Sequence, residues 1–207
     1  CLFLFIKTKK MSCEITNGRV EECKDSVSGL KSIYFANFDS LANEESTGAG
    51  VVGITYDAVN LDVIDTWQSA LALTLYKYEL KSNSNSFTTT IETSRDNGTT
   101  FFTQTLVINL KKQDFDMHKN IKLLAYGRPR IIVRTMTDQF FLMGLAQGCD
   151  TTAGEISSGA AMGDFNGYSL TFVAMEVSPA NFIDVDTQAL LATAFADIAG
   201  TDAVIET

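Results

Sequence analysis

One histidine, one tryptophan and two prolines occur in this 207-residue chain, and no lysine or arginine follows Arg134. Each shortage excludes something. His118 has no second histidine with which to share a metal, and the sequence contains no HExxH pair. It contains neither a GxSxG nucleophile elbow nor a Walker phosphate loop. Residues 48–53 (GAGVVG) match the letters of a dinucleotide-binding turn. No helical pattern and no βαβ unit follows them, so the segment reads as an ordinary turn. Carboxylate pairs such as Asp62/Asp65 and Asp184/Asp186 are of the kind any acidic chain contains by chance. The expectation is a protein with no catalytic residues, no cofactor and no metal.

Cysteine is also sparse. Cys1, Cys13, Cys23 and Cys149 form no CxxC pair and match no zinc spacing. They read as buried or incidental thiols, with a Cys13–Cys23 disulfide as the alternative. Long apolar runs are missing too. Residues 1–6 (CLFLFI) are too few to span a bilayer, and the basic residues Lys7, Lys9 and Lys10 follow the run, the reverse of a signal peptide. Met11 is the expected start, with 1–10 an upstream extension; the alternative is a hydrophobic arm that docks on a neighbour. A soluble chain with no membrane partner is expected.

Charge is unevenly placed. The net charge is -9; residues 1–134 hold 16 bases and 15 acids, whereas 135–207 hold ten acids and no base. Such an acidic block disfavours tight binding to phosphate backbones. It reads either as a solvated surface or as one that meets nucleic acid without holding it.

What is present is β-prone. Residues 30–37, 51–56 and 62–66 read as short strands after a polar, irregular stretch at 12–29. Residues 71–80 alternate with a period of two, 87–94 (FTTTIETS) is rich in threonine, and 99–111 (TTFFTQTLVINLK) reads as a long strand. Between the last two lies Arg95-Asp96-Asn97-Gly98, and Asn-Gly is a strong hairpin signal. Asn97-Gly98-Thr99 also matches a glycosylation acceptor, but the hairpin turn is the better reading. Residues 71–111 are thus expected to form three consecutive antiparallel strands. Phe101 and Phe102 are adjacent on a strand, so one of them points away from the core unless something covers it. The hairpin at 87–111, with Arg95, Asp96, Asn97, Gly98, Phe101 and Phe102, is the candidate subunit contact.

Residues 113–126 change period. Phe115, His118, Ile121, Lys122 and Ala125 follow helical spacing, with Asp114 and Asp116 early, Gly127 at the end and Pro129 beyond. A second hairpin is expected over 130–146, a flexible loop over 148–163 and a strand over 167–177 with Tyr168, Leu170, Phe172 and Ala174 on one face. A short helix is expected within 187–199. The fold class that results is mainly β (α+β): an antiparallel β-sandwich or barrel-like core with one packed helix and a long β-hairpin. The expected organisation is an arm at 1–29, a β-rich domain at 30–183 and an acidic C-terminal segment at 184–207.

Two segments carry a resemblance. The stretch from Met11, MSCEITNGRVEECKDSVSGLKSIYFANF, resembles structural proteins of tailed bacteriophages. The block Gly163-Asp164-Phe165-Asn166-Gly167-Tyr168, followed by Glu176 and Pro179, is similar to the closing strand of phage tail tube, or major tail, proteins. The resemblance implies a virion protein whose subunits join side by side into a ring, usually of six. Rings would stack into a tube through which DNA passes without tight binding, with other tail or connector proteins as partners. A head–tail joining or terminator ring and a monomeric β-sandwich binding module are the alternatives.

Overall fold

Residues 33–36 (IYFA) and 131–133 (IIV) are apolar at consecutive positions, and a strand carries such a run when both of its faces are buried. In the computed structural model, which describes residues 18, 19, 27–40, 53–58, 60, 62–81 and 84–207, both runs lie within an eight-stranded sheet. Its spatial order is β12 (Val204–Glu206), β4 (Thr74–Glu79), β1 (Leu30–Ala36), β7 (Arg130–Thr135), β8 (Phe140–Met143), β11 (Asn181–Ile183), β3 (Val63–Gln68) and β2 (Gly53–Tyr56). A second, four-stranded sheet orders β5 (Ser86–Ser94), β6 (Thr99–Lys111), β10 (Gly167–Glu176) and β9 (Asp150–Ser157), antiparallel throughout. Two α-helices, α1 (Phe115–Tyr126) and α2 (Gln188–Ala194), and a 3-10 turn at Phe38–Ser40 complete the described elements.

The alternation of side chains along β1 and β7 separates two cores. Ile33, Phe35, Ile131 and Val133 pack between the sheets with Leu106, Ile108, Leu170 and Phe172. Tyr34, Ala36 and Ile132 point the other way, to Trp67, Leu75, Leu191 and Phe195. Each fully buried Ile or Phe contributes about 1.5–3 kcal/mol, so strands buried on both faces anchor the fold. The large sheet curls around the second core. Past the end of β3, Ser69 N donates to the Ala196 carbonyl (3.4 Å) and Ile198 N to that of Ser69 (3.0 Å), while Val204 N reaches the Leu73 carbonyl (2.8 Å). The result is a mainly β, sandwich-like fold with a barrel-like half.

Several expectations need correction. The strands within 71–111 do not form one meander: β4 joins the large sheet beside β1, and only β5 and β6 pair in the small one. Period-two alternation marks a strand but does not choose its partner. Leu75 of β4 is drawn into the second core, and Leu80 N binds the Lys31 carbonyl, which carries the pairing with β1 one residue beyond the strand. The stretch 148–163 is not a loop throughout, since 150–157 pairs with β10 as an edge strand. Its small residues hide the pattern: Gly154 lies under Leu170, whose Cδ2 would be 3.1 Å from an added Cβ. The acidic segment 184–207 supplies α2 and β12, and Leu191, Ala194, Phe195 and Ala203 are buried in the second core.

On α1 the buried side is Ile121, flanked by Met117 and Leu124, and Phe115 points to solvent. The strand expectations at 30–37, 130–146 and 167–177 agree with β1, β7–β8 and β10. The helix expected within 187–199 is α2. The extension at 1–10, the motif from Met11 up to Gly18, the Cys13–Cys23 pair and most of the turn at 48–53 lie outside the described residues.

Candidate functional site: a projecting hairpin and its sheet

The β5–β6 hairpin closes through four exposed residues, Arg95, Asp96, Asn97 and Gly98, between the paired Ser94 and Thr99. Asn97 N binds Ser94 Oγ (3.3 Å), and Gly98 takes the left-handed φ of 62° that the turn demands. The hairpin outruns its support. The β6–β10 ladder ends at the Phe102–Glu176 pair, so 99–101 and their partners 92–94 extend past β10. Three residues of strand span roughly 10 Å.

Alternation assigns the two phenylalanines. Gln104, Leu106 and Ile108 are buried, so Phe102 shares their inward face and Phe101 lies on the outer one; both are half-buried. Ile91, opposite Phe102, also faces inward, yet it is 64% exposed. The inner face of the hairpin's far end therefore has no core beneath it. At its base, Phe87, Phe141 and Phe182 form an aromatic chain with centroids 5.9 and 4.4 Å apart, ending at the exposed Phe182. Neither Ile91 nor this chain was picked out by sequence pattern, because the aromatics come from three strands distant in sequence.

The outer face of the small sheet is short of charge along its middle. Thr88 pairs with Thr105, Thr90 with Thr103, Thr105 with Val173 and Val107 with Thr171. Glu92 accepts a hydrogen bond from Thr103 Oγ1 (2.7 Å). The edge strands β5 and β9 each pair with one strand only among the described residues, and α1 lies against β9. An edge strand offers unpaired N–H and C=O groups to another chain.

The Gly163–Tyr168 motif has an architectural role. Asp164 accepts from the backbone N–H groups of Ala161 (2.7 Å) and Ala160 (2.9 Å), which hold its carboxyl below the usual range. The Asn166 carbonyl accepts from Lys112 N (2.8 Å). A Cβ on Gly167 would collide with the Leu110 carbonyl oxygen, so close strand approach requires glycine there. Tyr168 is buried, and its hydroxyl reaches the backbone of Asp114 at the start of α1. Gly163 is exposed, and a Cβ there would meet no atom within 4 Å.

Titratable groups elsewhere serve packing. The Arg130 side chain is fully buried between the rings of Phe38 (4.2 Å) and Trp67 (4.9 Å), donating to the carbonyls of Phe38 (2.7 Å) and Leu145 (3.0 Å). Burial pulls its pKa down to about 10, which leaves it charged at neutral pH. Glu176 accepts from the amides of Gln147 (2.9 Å) and Ala146 (3.0 Å). Burial raises the Cys149 thiol above its ordinary range, which disfavours the thiolate form. Among the described residues no three His, Cys, Asp or Glu side chains converge as metal ligands, and no helix is long and apolar enough to cross a membrane. A cleft of about 600 Å³ lies beside α1, lined in part by Phe35, Phe38, Tyr76, Tyr78, Asn120 and Arg128.

No family model matches the sequence, and neither a curated protein nor a solved structure matches it.

Proposed function

We propose that the chain is a virion structural protein that assembles with copies of itself into stacked rings, forming a phage tail tube through which DNA passes. One observation carries this reading: a four-stranded sheet whose outer strands β5 and β9 pair with no further strand among the described residues, and whose hairpin stands beyond its own core with Ile91 and Phe102 on the unsupported face. Pairing of an open edge with the next subunit continues the sheet by main-chain hydrogen bonds. Because the two edges differ, the contact is heterologous, and it closes into a ring when the rotation per subunit closes.

The outer face of that sheet is the proposed lumen wall. Its central residues, Thr88, Thr103, Thr105, Val107, Thr171 and Val173, carry no positive charge with which to hold phosphate. Basic residues stand at its ends, at Arg95 and Lys111, and Glu92 and Glu155 add negative charge. A wall of this kind lets a polyanion slide past. In this reading the protein performs no catalysis, and its partners are its own copies and other tail or connector proteins.

Negative-stain electron microscopy of the purified chain tests the proposal. Stacked rings are expected, with no retention of DNA inside them at low salt. Single rings that never stack would assign the chain to a head–tail joint instead. A dispersed monomer at high concentration, alone and with phage tail partners, would leave the assembly reading without support. Ligand capture by such a monomer at the cleft beside α1 would favour a binding module.

A further inference from the structure

Helix α1 carries a second surface that its own fold does not use. Met117, Ile121 and Leu124 face the inter-sheet core. On the opposite side, Phe115, Lys119, Lys122 and Tyr126 fall at i, i+4, i+7 and i+11, a single stripe about 17 Å long at 1.5 Å per residue. Phe115 is 89% exposed and Tyr126 81%. Two aromatic rings in water at either end of a pair of lysines are costly for a surface with no partner. Neither lysine makes an ion pair among the described residues.

A complementary groove of about 560 Å³ lies on the same chain. Its walls include the exposed Phe182 and Leu190, and its rim carries Asp184 and Asp186, which make no ion pair among the described residues. Asp138 also lines it, but that carboxylate is already held by Lys31 (2.9 Å) and Arg134 (2.6 Å). Lys119 and Lys122 sit three apart on a helix; Asp184 and Asp186 sit two apart on an extended segment. Both spacings are roughly 5–7 Å, so the two charge pairs match.

The stripe points away from the body of its own chain, and the groove lies at the end of the large sheet, where Phe182 and Ile183 turn to opposite faces. Ile121 of α1 joins the core between the sheets, whereas Phe140 and Ile183 of the groove join the core on the far side. One chain cannot close the contact on itself. We propose that the Phe115–Lys119–Lys122–Tyr126 stripe of one copy docks in the Asp184–Asp186 groove of the next. Aromatic rings would pack on Phe182 and Leu190, and the lysines would pair with the two aspartates. The contact uses a different surface on each partner, so every added copy presents a free stripe or groove to another. This deepens the self-assembly reading and rests on it.

Charge reversal tests the contact. Lys119→Glu with Lys122→Glu, and separately Asp184→Lys with Asp186→Lys, alter exposed positions, and near-ultraviolet circular dichroism checks that each variant is folded. Sedimentation velocity of the full chain is expected to show association weakened roughly a hundredfold in each, since like charges now face one another. The chain carrying all four reversals is expected to assemble again, because every pair is restored with its signs exchanged. Half-variants that assemble as well as the native chain, or a folded four-fold variant that does not assemble, overturn the stripe–groove contact while self-assembly stands. A native chain that stays monomeric at all concentrations overturns both.

Discussion

The Tyr168 hydroxyl donates to the carbonyl oxygen of Asp114 at 3.1 Å and accepts from the amide of the same residue at 3.3 Å. Asp114 is the N-cap of α1, yet its side chain makes no capping bond. A helix leaves its first amides without partners, and a carboxylate three residues on often fills that role. Here a buried phenol from the start of β10, an inner strand of the small sheet, supplies it. The bond fixes where α1 begins relative to β10, and so where the outer stripe of the helix points.

Tyr168→Phe keeps the ring and removes both bonds. The expected loss is about 1–2 kcal/mol of folding stability, because a part-buried amide loses its acceptor while the packing survives. Chemical denaturation measures the loss. Amide exchange should quicken most at residues 114–118, beyond the increase that the lost global stability imposes on β1 and β7, which are held by both cores. An unchanged exchange rate at the start of α1 would mean that the phenol does not fix the helix.

Much of this local architecture was legible in the sequence. The face shared by Tyr168, Leu170, Phe172 and Ala174, the β5–β6 hairpin and the extent of α1 all follow from short-range periodicity and turn chemistry. What periodicity does not carry is which strands meet. β4 and β9 pair with β1 and β10, and those registers depend on cores assembled from distant segments. The helical spacing of Phe115, His118, Ile121, Lys122 and Ala125 does not by itself locate the buried face of α1. Phe115 and Met117 are both apolar and near the helix start, and only packing against the sheets selects Met117 for the inner side. The candidate assembly surface was half legible: the turn 95–98 announces itself, whereas the aromatic chain of Phe87, Phe141 and Phe182 exists only after folding.

Cys149 should be chemically silent in the native protein. Burial raises its thiol, with the Glu176 carboxylate adding to the same direction, so little thiolate forms. Alkylation by iodoacetamide at pH 8.5, read by mass spectrometry of the Cys149 peptide, is expected to be more than about a hundredfold slower than in denaturant. Ready modification of the folded chain would place the thiol closer to solvent than its packing allows.

Asp138 links stability to acid. Its carboxyl is held below the usual range, first by the hydrogen bond from Lys31 and then by Arg134. The native state therefore binds the proton more weakly than the unfolded chain. Its contribution is fully present above the ordinary carboxylate pKa and is lost as pH falls through the depressed one. Asp138→Asn isolates the effect, because asparagine tolerates the left-handed φ of 59° found here. The variant should melt below the native chain at pH 7, and the gap should close as pH falls below about 4. A gap that persists undiminished in acid would assign the loss to the turn rather than to charge.

Ile91→Asp separates assembly from folding more sharply than deletion of the hairpin would. The side chain is 64% exposed and touches no core, so the monomer's stability should change by no more than about 0.5 kcal/mol. In the assembled state the same position lies on the hairpin face proposed to cover a neighbouring subunit, and a buried unpaired carboxylate there carries a heavy desolvation penalty. Denaturation curves should therefore overlay those of the native chain, while rings and tubes disappear from electron micrographs. A variant that unfolds would mean that the hairpin face supports the monomer itself. A variant that still builds tubes would remove the far end of the hairpin from the interface and leave the open edges of β5 and β9 as the surfaces on which assembly must rest.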